Sequence, residues 1–216
     1  MITLLWRYMF MKVLMINGSP RDDSNTSLAF KAMTDVFEAE GVDYEIVEIG
    51  TRDIRGCIAC RKCHETGRCV FDDIVNETAL KLKEADGLVI GSPVYYGSAN
   101  GSLISLLDRL FYSIPFDLSM KVGASVVVAR RGGLTATFDE LNKYFTISEM
   151  PVATSCYWNQ VHGHQKGEAG QDEEGLVVMK RLAMNMVFLM RSIALGKEKY
   201  GLPPKEEKRV MTNFIR

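Results

Sequence analysis

Ile16-Asn17-Gly18-Ser19-Pro20-Arg21-Asp22-Asp23-Ser24-Asn25-Thr26-Ser27 is the stretch on which the fold turns. Ahead of it runs a short apolar segment, Val13 to Ile16, and behind it Leu28, Ala32, Met33, Val36 and Phe37 recur on one helical face. A strand therefore empties into a loop that opens a helix. The loop is crowded with hydroxyls, an amide and Arg21, and a helix N-terminus adds free N–H groups and a partial positive charge. A phosphate bound there would be stabilised. A polar turn with a Ser or Thr N-cap accounts for the same residues, so the rest of the chain has to decide between an anion site and a plain cap.

Strand and helix signals alternate outward from this point. Tyr44 to Ile49 alternates as a half-buried edge strand should, and Thr51 to Asp73 is a long irregular insert. Asp73 is placed to cap a helix over 74–85, which ends before a buried strand, Gly87 to Gly91. The loop Ser92 to Ser98 then leads into a helix over 100–112, with Leu103, Leu106, Leu107, Leu110 and Phe111 facing inward. Val122 to Ala129 is another buried strand, followed by Arg130 to Gly133 and a helix over 135–145. Met150 to Thr154 is expected as the fifth strand and Ser155 to Gly170 as loop. Asp172, Glu173 and Glu174 put acids in the first turn of a last helix that Gly196 should stop. That helix is apolar on more than one face, so part of it could cover a second subunit.

This order predicts an α/β fold, a doubly wound parallel sheet in three layers. In such sheets ligands bind outside the carboxyl ends of the strands, so the loops 17–27, 92–98 and 130–133 should converge. The expected organisation is an N-terminal extension over 1–10, one domain over 11–196 with a cysteine insert at 51–73, and a charged arm over 197–216.

Composition narrows the function. Lys+Arg 26 against Asp+Glu 27 leaves a net charge of −1, which offers no attraction to nucleic acid or an anionic membrane. Small ligands become the default partners. Met1 to Met15 lacks a basic n-region and a cleavage site, and no later stretch is uncharged over about eighteen residues. Of five cysteines, four fall between Cys57 and Cys69, a spacing that suits a reducing compartment better than a disulfide framework. The expected location is cytoplasmic.

No G-x-G-x-x-G follows the first strand and no G-x-x-x-x-G-K-[ST] occurs, so dinucleotide and triphosphate loops both weaken. Ser19, Ser24, Asn25, Thr26 and Ser27 can donate to one terminal phosphate, with Arg21 offsetting its charge. Pro93, Val94, Tyr95 and Tyr96 can cover an aromatic ring, with Gly97 allowing close backbone approach. Arg130 and Arg131, with Gly132 and Gly133, supply cations and N–H groups near the polar edge of that ring. A phosphate at one end and an aromatic system at the other describe FMN.

These motifs, Asn17 to Arg21 with Ser24-Asn25-Thr26, Gly91 to Gly97, and Arg131-Gly132-Gly133, resemble those of the NAD(P)H-dependent FMN reductases and iron–sulfur flavoproteins. The resemblance implies a flavodoxin-like, five-stranded sheet ordered 2-1-3-4-5, non-covalent FMN, and a homodimer or homotetramer with flavin sites near subunit interfaces. It also implies that Tyr157-Trp158-Asn159 approaches a flavin; packing on the protein's own core is the alternative.

Cys57, Cys60, Cys63 and Cys69 have the spacing C-x2-C-x2-C-x5-C, on which four thiolates can wrap a 4Fe–4S cluster. This resembles the compact motif of iron–sulfur flavoproteins, and nearby Arg61, Lys62 and Arg68 would favour thiolates. Structural zinc and unligated thiols remain open alternatives. Cys156 is expected as a small buried residue. His64, His162 and His164 match no ligand spacing and are expected to face solvent or to be structural. No catalytic side chain is assigned, because flavin hydride chemistry needs placement more than an acid. The expected activity is an FMN-dependent oxidoreductase with NAD(P)H as donor, and the expected partners are a small-molecule or protein electron donor and acceptor. The alternatives are an electron carrier with a cluster on the cysteine loop, and a non-enzymatic flavin-binding protein with zinc.

Overall fold

The computed structural model describes residues 11–205 and Thr212, so the expected extension over 1–10 and most of the arm lie outside the described residues. Among the described residues there are six strands: β1 (Lys12–Asn17), β2 (Asp43–Glu48), β3 (Gly87–Tyr95), β4 (Ser98–Ala99), β5 (Val122–Ala129) and β6 (Gln160–His162). The helices are α1 (Asn25–Ala39), α2 (Cys63–Thr66), α3 (Ile74–Glu84), α4 (Gly101–Ser113), α5 (Leu134–Ile147) and α6 (Glu173–Tyr200), with a 3-10 turn at Glu168–Gln171. The parallel sheet runs β2-β1-β3-β5-β6, and the two-residue β4 folds back antiparallel on the end of β3. With that hairpin set aside, the order is the expected one.

Alternation along the central strands builds the layers. Val13 and Met15 of β1 face a cluster with Phe30, Met33 and Phe37 of α1 and Met179, Leu182 and Met186 of α6. Leu14 and Ile16 face the other side, with Leu82 of α3, Leu103, Leu107 and Leu110 of α4, and Phe145 of α5. The central strands are covered on both faces, which is why they read as nearly continuous apolar runs, interrupted within β5 only by Ser125.

Four sequence expectations change. The fifth strand is not Met150 to Thr154: only Val152 bridges to Gly123, and the paired segment is Gln160–His162 within the expected loop. Both segments lie along β5, and the chain between them leaves the edge, exposing Cys156, Tyr157 and Trp158. Cys156 is therefore not buried. The third strand continues through Ser92, Pro93 and Val94 to Tyr95, so the second loop is mostly strand and hairpin. The last helix passes Gly196 and ends at Tyr200, because one internal glycine costs only about 1 kcal/mol and its buried face continues to Met190.

Beyond α6, Lys205 pairs with Asp117 at 2.6 Å, and that lysine, with Ser119, holds the Asp117 carboxyl down to about 2. Val177, Met184, Phe188 and Leu195 lie exposed along the outer side of α6. Among the described residues no helix is long and apolar enough to cross a membrane.

Candidate functional site

At the carboxyl edge of the sheet the first loop is braced by its own side chains. Asn17 Oδ1 accepts from the Ser19 N–H at 3.0 Å, and Asn17 Nδ2 donates to Ser27 Oγ at 3.0 Å. Ser24 is the N-cap of α1: its Oγ accepts from the Ser27 N–H at 3.1 Å, and its carbonyl accepts from the Leu28 N–H. The Asn25 and Thr26 N–H groups, one step earlier in the turn, have no acceptor among the described residues. The Thr26 side chain is buried beside them, 1% exposed. These donors stand at the positive end of a fifteen-residue helix.

A cavity of about 320 Å³ opens beside them, within the size range of small-molecule sites (about 300–1,000 Å³). Of the predicted residues it brings together Ser19, Arg21, Ser24, Asn25 and Thr26 from the first loop and Pro93, Val94 and Tyr95 from β3. Ser27, Tyr96, Gly97, Arg131, Gly132 and Gly133 do not line it. Ser27 is held by Ser24 and Asn17. Tyr96 and Gly97 are the two left-handed residues at the hairpin tip, φ 51° and 78°, which leaves Tyr96 fully in solvent. Gly133 has φ 90°, and a Cβ there would lie 2.8 Å from both Gly97 Cα and Val94 Cγ1. The third loop therefore buttresses the second, and only Arg130 of that segment reaches the cavity. Tyr157 and Trp158 do not line it.

Several lining or bracing residues were missed. Gly163, His164 and Lys166 follow β6 and enter the wall; misplacing the fifth strand hid them. The Asn25 side chain donates to the Gln165 carbonyl (2.9 Å) and accepts from the Ala169 N–H (3.2 Å), so it tethers that loop and is not a spare donor. Asn100, the cap of α4, donates to the Gly18 carbonyl at 2.6 Å and joins the first loop to the second. Glu140 of α5 accepts from Ser98 Oγ and the Ala99 N–H, anchoring the hairpin. The wall charges are mixed: Lys166 pairs with Asp23 at 3.1 Å, whereas Arg21 and Arg130 make no side-chain ion pair among the described residues.

The four cysteines of the insert line one separate pocket, with Ile58, Phe71, Arg109 and Tyr112. Ala59 and Arg61 adopt left-handed φ of 52° and 58°, so the loop turns sharply between successive cysteines. Among the described residues no three His, Cys, Asp or Glu side chains are grouped closely enough for a single metal ion. Lys62 pairs with Glu65, and Arg68 pairs with Asp72. The cation that touches a cysteine is instead Arg109 of α4, 1% exposed, whose Nε donates to Cys69 Sγ at 3.2 Å. Its other nitrogens donate to Asp73 at 2.8 and 2.9 Å and to the Arg55 carbonyl at 3.3 Å. Burial works against its charge, but hydrogen bonds to Asp73 and Cys69 outweigh that and raise its pKa. Burial likewise pushes the Cys63 thiol up, and the neighbouring cysteines add to the shift. Arg109 was hidden because it lies in a helix chosen for its leucines.

The profile of the NADPH-dependent FMN reductase family matches residues 11–165. An iron–sulfur flavoprotein of Methanocaldococcus jannaschii is 34% identical over 191 residues, covering 85% of this chain and 99% of the relative. Among solved structures, RosB with bound 8-demethyl-8-formylriboflavin-5'-phosphate has TM-score 0.69 at 16% identity, covering 95% of this chain and 94% of RosB. A flavodoxin from the domain Archaea has TM-score 0.55 at 18% identity, covering 84% of this chain and 99% of that one. The two structures share their fold with this chain.

Proposed function

This chain belongs to the NADPH-dependent FMN reductase family and is an FMN-dependent oxidoreductase of flavodoxin-like fold, and on that premise we propose that the cavity beside the first loop holds FMN, its phosphate at the start of α1 and its ring against Pro93, Val94 and Tyr95. Bound there, FMN supplies hydride acceptance at N5 and electron return to an acceptor. The Thr26 hydroxyl and the N–H groups of Asn25 and Thr26 donate to the phosphate, and Arg21 and Arg130 offset its charge. A reduced nicotinamide is the donor we assign. We place its entry in the same cavity, on the side where Tyr95 is exposed.

We assign the four cysteines to a 4Fe–4S cluster that relays single electrons. One observation carries this: Cys57, Cys60, Cys63 and Cys69, spaced C-x2-C-x2-C-x5-C, line a common pocket. The likeness to an iron–sulfur flavoprotein over nearly its whole length supports the same reading. The gathering of four of the five cysteines on one loop supports a reducing, cytoplasmic setting over a disulfide framework.

The visible spectrum and iron content of the anaerobically purified chain test both assignments. Flavin bands with a broad shoulder bleached by dithionite, and about four irons per chain, are expected. Flavin bands without shoulder or iron would leave a plain FMN reductase, and no visible band would remove tightly held FMN. Cys60→Ser should abolish shoulder and iron while the flavin stays.

A further inference from the structure

Arg109 is among the largest fully buried side chains of the protein, and its surroundings are organised around it. Asp73 accepts from both terminal nitrogens, at 2.8 and 2.9 Å, while its Oδ1 also caps α3 by accepting from the Val75 N–H. The guanidinium lies 5.0 Å from the Phe71 ring centroid, and Arg55 lies 4.6 Å from the same ring. A guanidinium is planar and its donors form a rigid fork. A carboxylate that grips both terminal nitrogens therefore also sets the direction of Nε–H, which ends on Cys69 Sγ at 3.2 Å.

The other cysteines receive no such donor. Cys57 Sγ accepts only the N–H of Ala59, two residues along, at 3.4 Å. Cys63 Sγ faces the Tyr112 carbonyl at 3.7 Å. Among the described residues, Cys69 alone of the four takes a hydrogen bond from a cation. A buried ion pair is a weak source of stability, so the arrangement calls for a use beyond holding the loop. Hydrogen bonds to ligating sulfur and nearby positive charge favour the electron-rich, reduced state of an iron–sulfur group.

We propose that Arg109 is a positioning residue that raises the reduction potential of the group held by the four cysteines, by donating its Nε–H to Cys69 Sγ under the orienting grip of Asp73. The inference rests on the cluster reading above. Its test is the one-electron potential of the anaerobically loaded chain, measured by dye-coupled titration beside iron content. Arg109→Lys keeps a positive charge but loses the fork and its Nε–H, and should shift the reduced-to-oxidised ratio at least tenfold toward the oxidised form, 59 mV to the negative side. Asp73→Asn retains Arg109 and a side chain able to cap α3, but its Nδ2 cannot accept from the guanidinium, so the grip that aims Nε–H at Cys69 slackens and the potential should fall in the same direction by less, the lost negative charge offsetting part of the shift. A loop that merely loosened would lose iron instead of holding it at a lower potential.

An iron-loaded Arg109→Lys protein with the wild-type potential, or an iron-loaded Asp73→Asn protein shifted to the positive side, overturns the proposal. If Arg109→Lys holds no iron, the Asp73→Asn protein decides: a negative shift with iron retained supports the role and any other result refutes it. Loss of iron from both variants with flavin retained would reduce Arg109 to a strut and refute it too. A wild-type chain that takes up no iron would instead bring down the cluster reading, and this inference with it.

Discussion

The proposed phosphate cradle and the cysteine pocket both hang from the same sheet, but they are held in different ways. The cradle is braced mostly from within: most of its side-chain hydrogen bonds join residues two to ten positions apart, as from Asn17 to Ser19 and to Ser27, with Asn25 and Asn100 adding long ties to Gln165, Ala169 and Gly18. The cysteine pocket is braced from outside, by an arginine 36 to 54 residues from its partners Asp73, Cys69 and Arg55. One site is local chemistry at a helix start, and the other exists only once α4 has packed. The same helix serves both. Asn100 at its cap reaches the Gly18 carbonyl, and Arg109 reaches Cys69. At 1.5 Å of rise per residue those two positions are about 14 Å apart along its axis.

If this contrast is right, damage to one site should leave the other standing. The largest effect is expected from Arg109→Ala, which strands Asp73 and opens a hole in the core. A loss of about 3 kcal/mol is expected, at the low end for a broken buried pair because Asp73 is partly exposed. Urea unfolding measures it, and FMN affinity of the folded fraction should hold. A parallel collapse in FMN affinity would show that α4 couples the two sites and that the contrast is wrong. The double change Arg21→Ala with Thr26→Ala should weaken FMN by about 2 kcal/mol, roughly thirty-fold, through lost charge-assisted and hydroxyl hydrogen bonds. Fluorescence titration reads this, with iron content unchanged; unaltered affinity would move the phosphate elsewhere. Smallest is Ser24→Ala, which removes the α1 cap at a cost of about 1 kcal/mol. A fall in thermal midpoint without loss of the cysteine-bound iron is the expected sign.

The same contrast explains what could be read in advance. The first loop was legible because capping and helix periodicity are short-range signals: Ser24 caps α1, and Arg21, Ser24 and Thr26 line one cavity. The second loop was half legible. Pro93, Val94 and Tyr95 reach the cavity, but pairing through Pro93 with Val128 extends β3 and carries Tyr96 out to the hairpin tip. Arg131, Gly132 and Gly133 were assigned to a ligand, whereas Gly133 serves contact with Gly97 and Val94. His164 is expected to face solvent or be structural and Lys166 falls in the expected loop, because the strand that carries them to the cavity wall, ending at His162, has three residues, too few to show a period.

By itself, then, the sequence determined the strand–helix alternation, the layered core and the chemistry of two clusters, one of hydroxyls and one of thiols. Those properties follow from periodicities of two and 3.6 residues and from spacings within one loop, which the chain carries whether or not it is folded. Tertiary structure alone decided which loops share a cavity, which side chains are already engaged, and that a buried arginine faces Cys69. Such facts depend on elements far apart in the chain coming to rest against one another, and no local pattern encodes the pairing of Arg109 with Asp73 and Cys69.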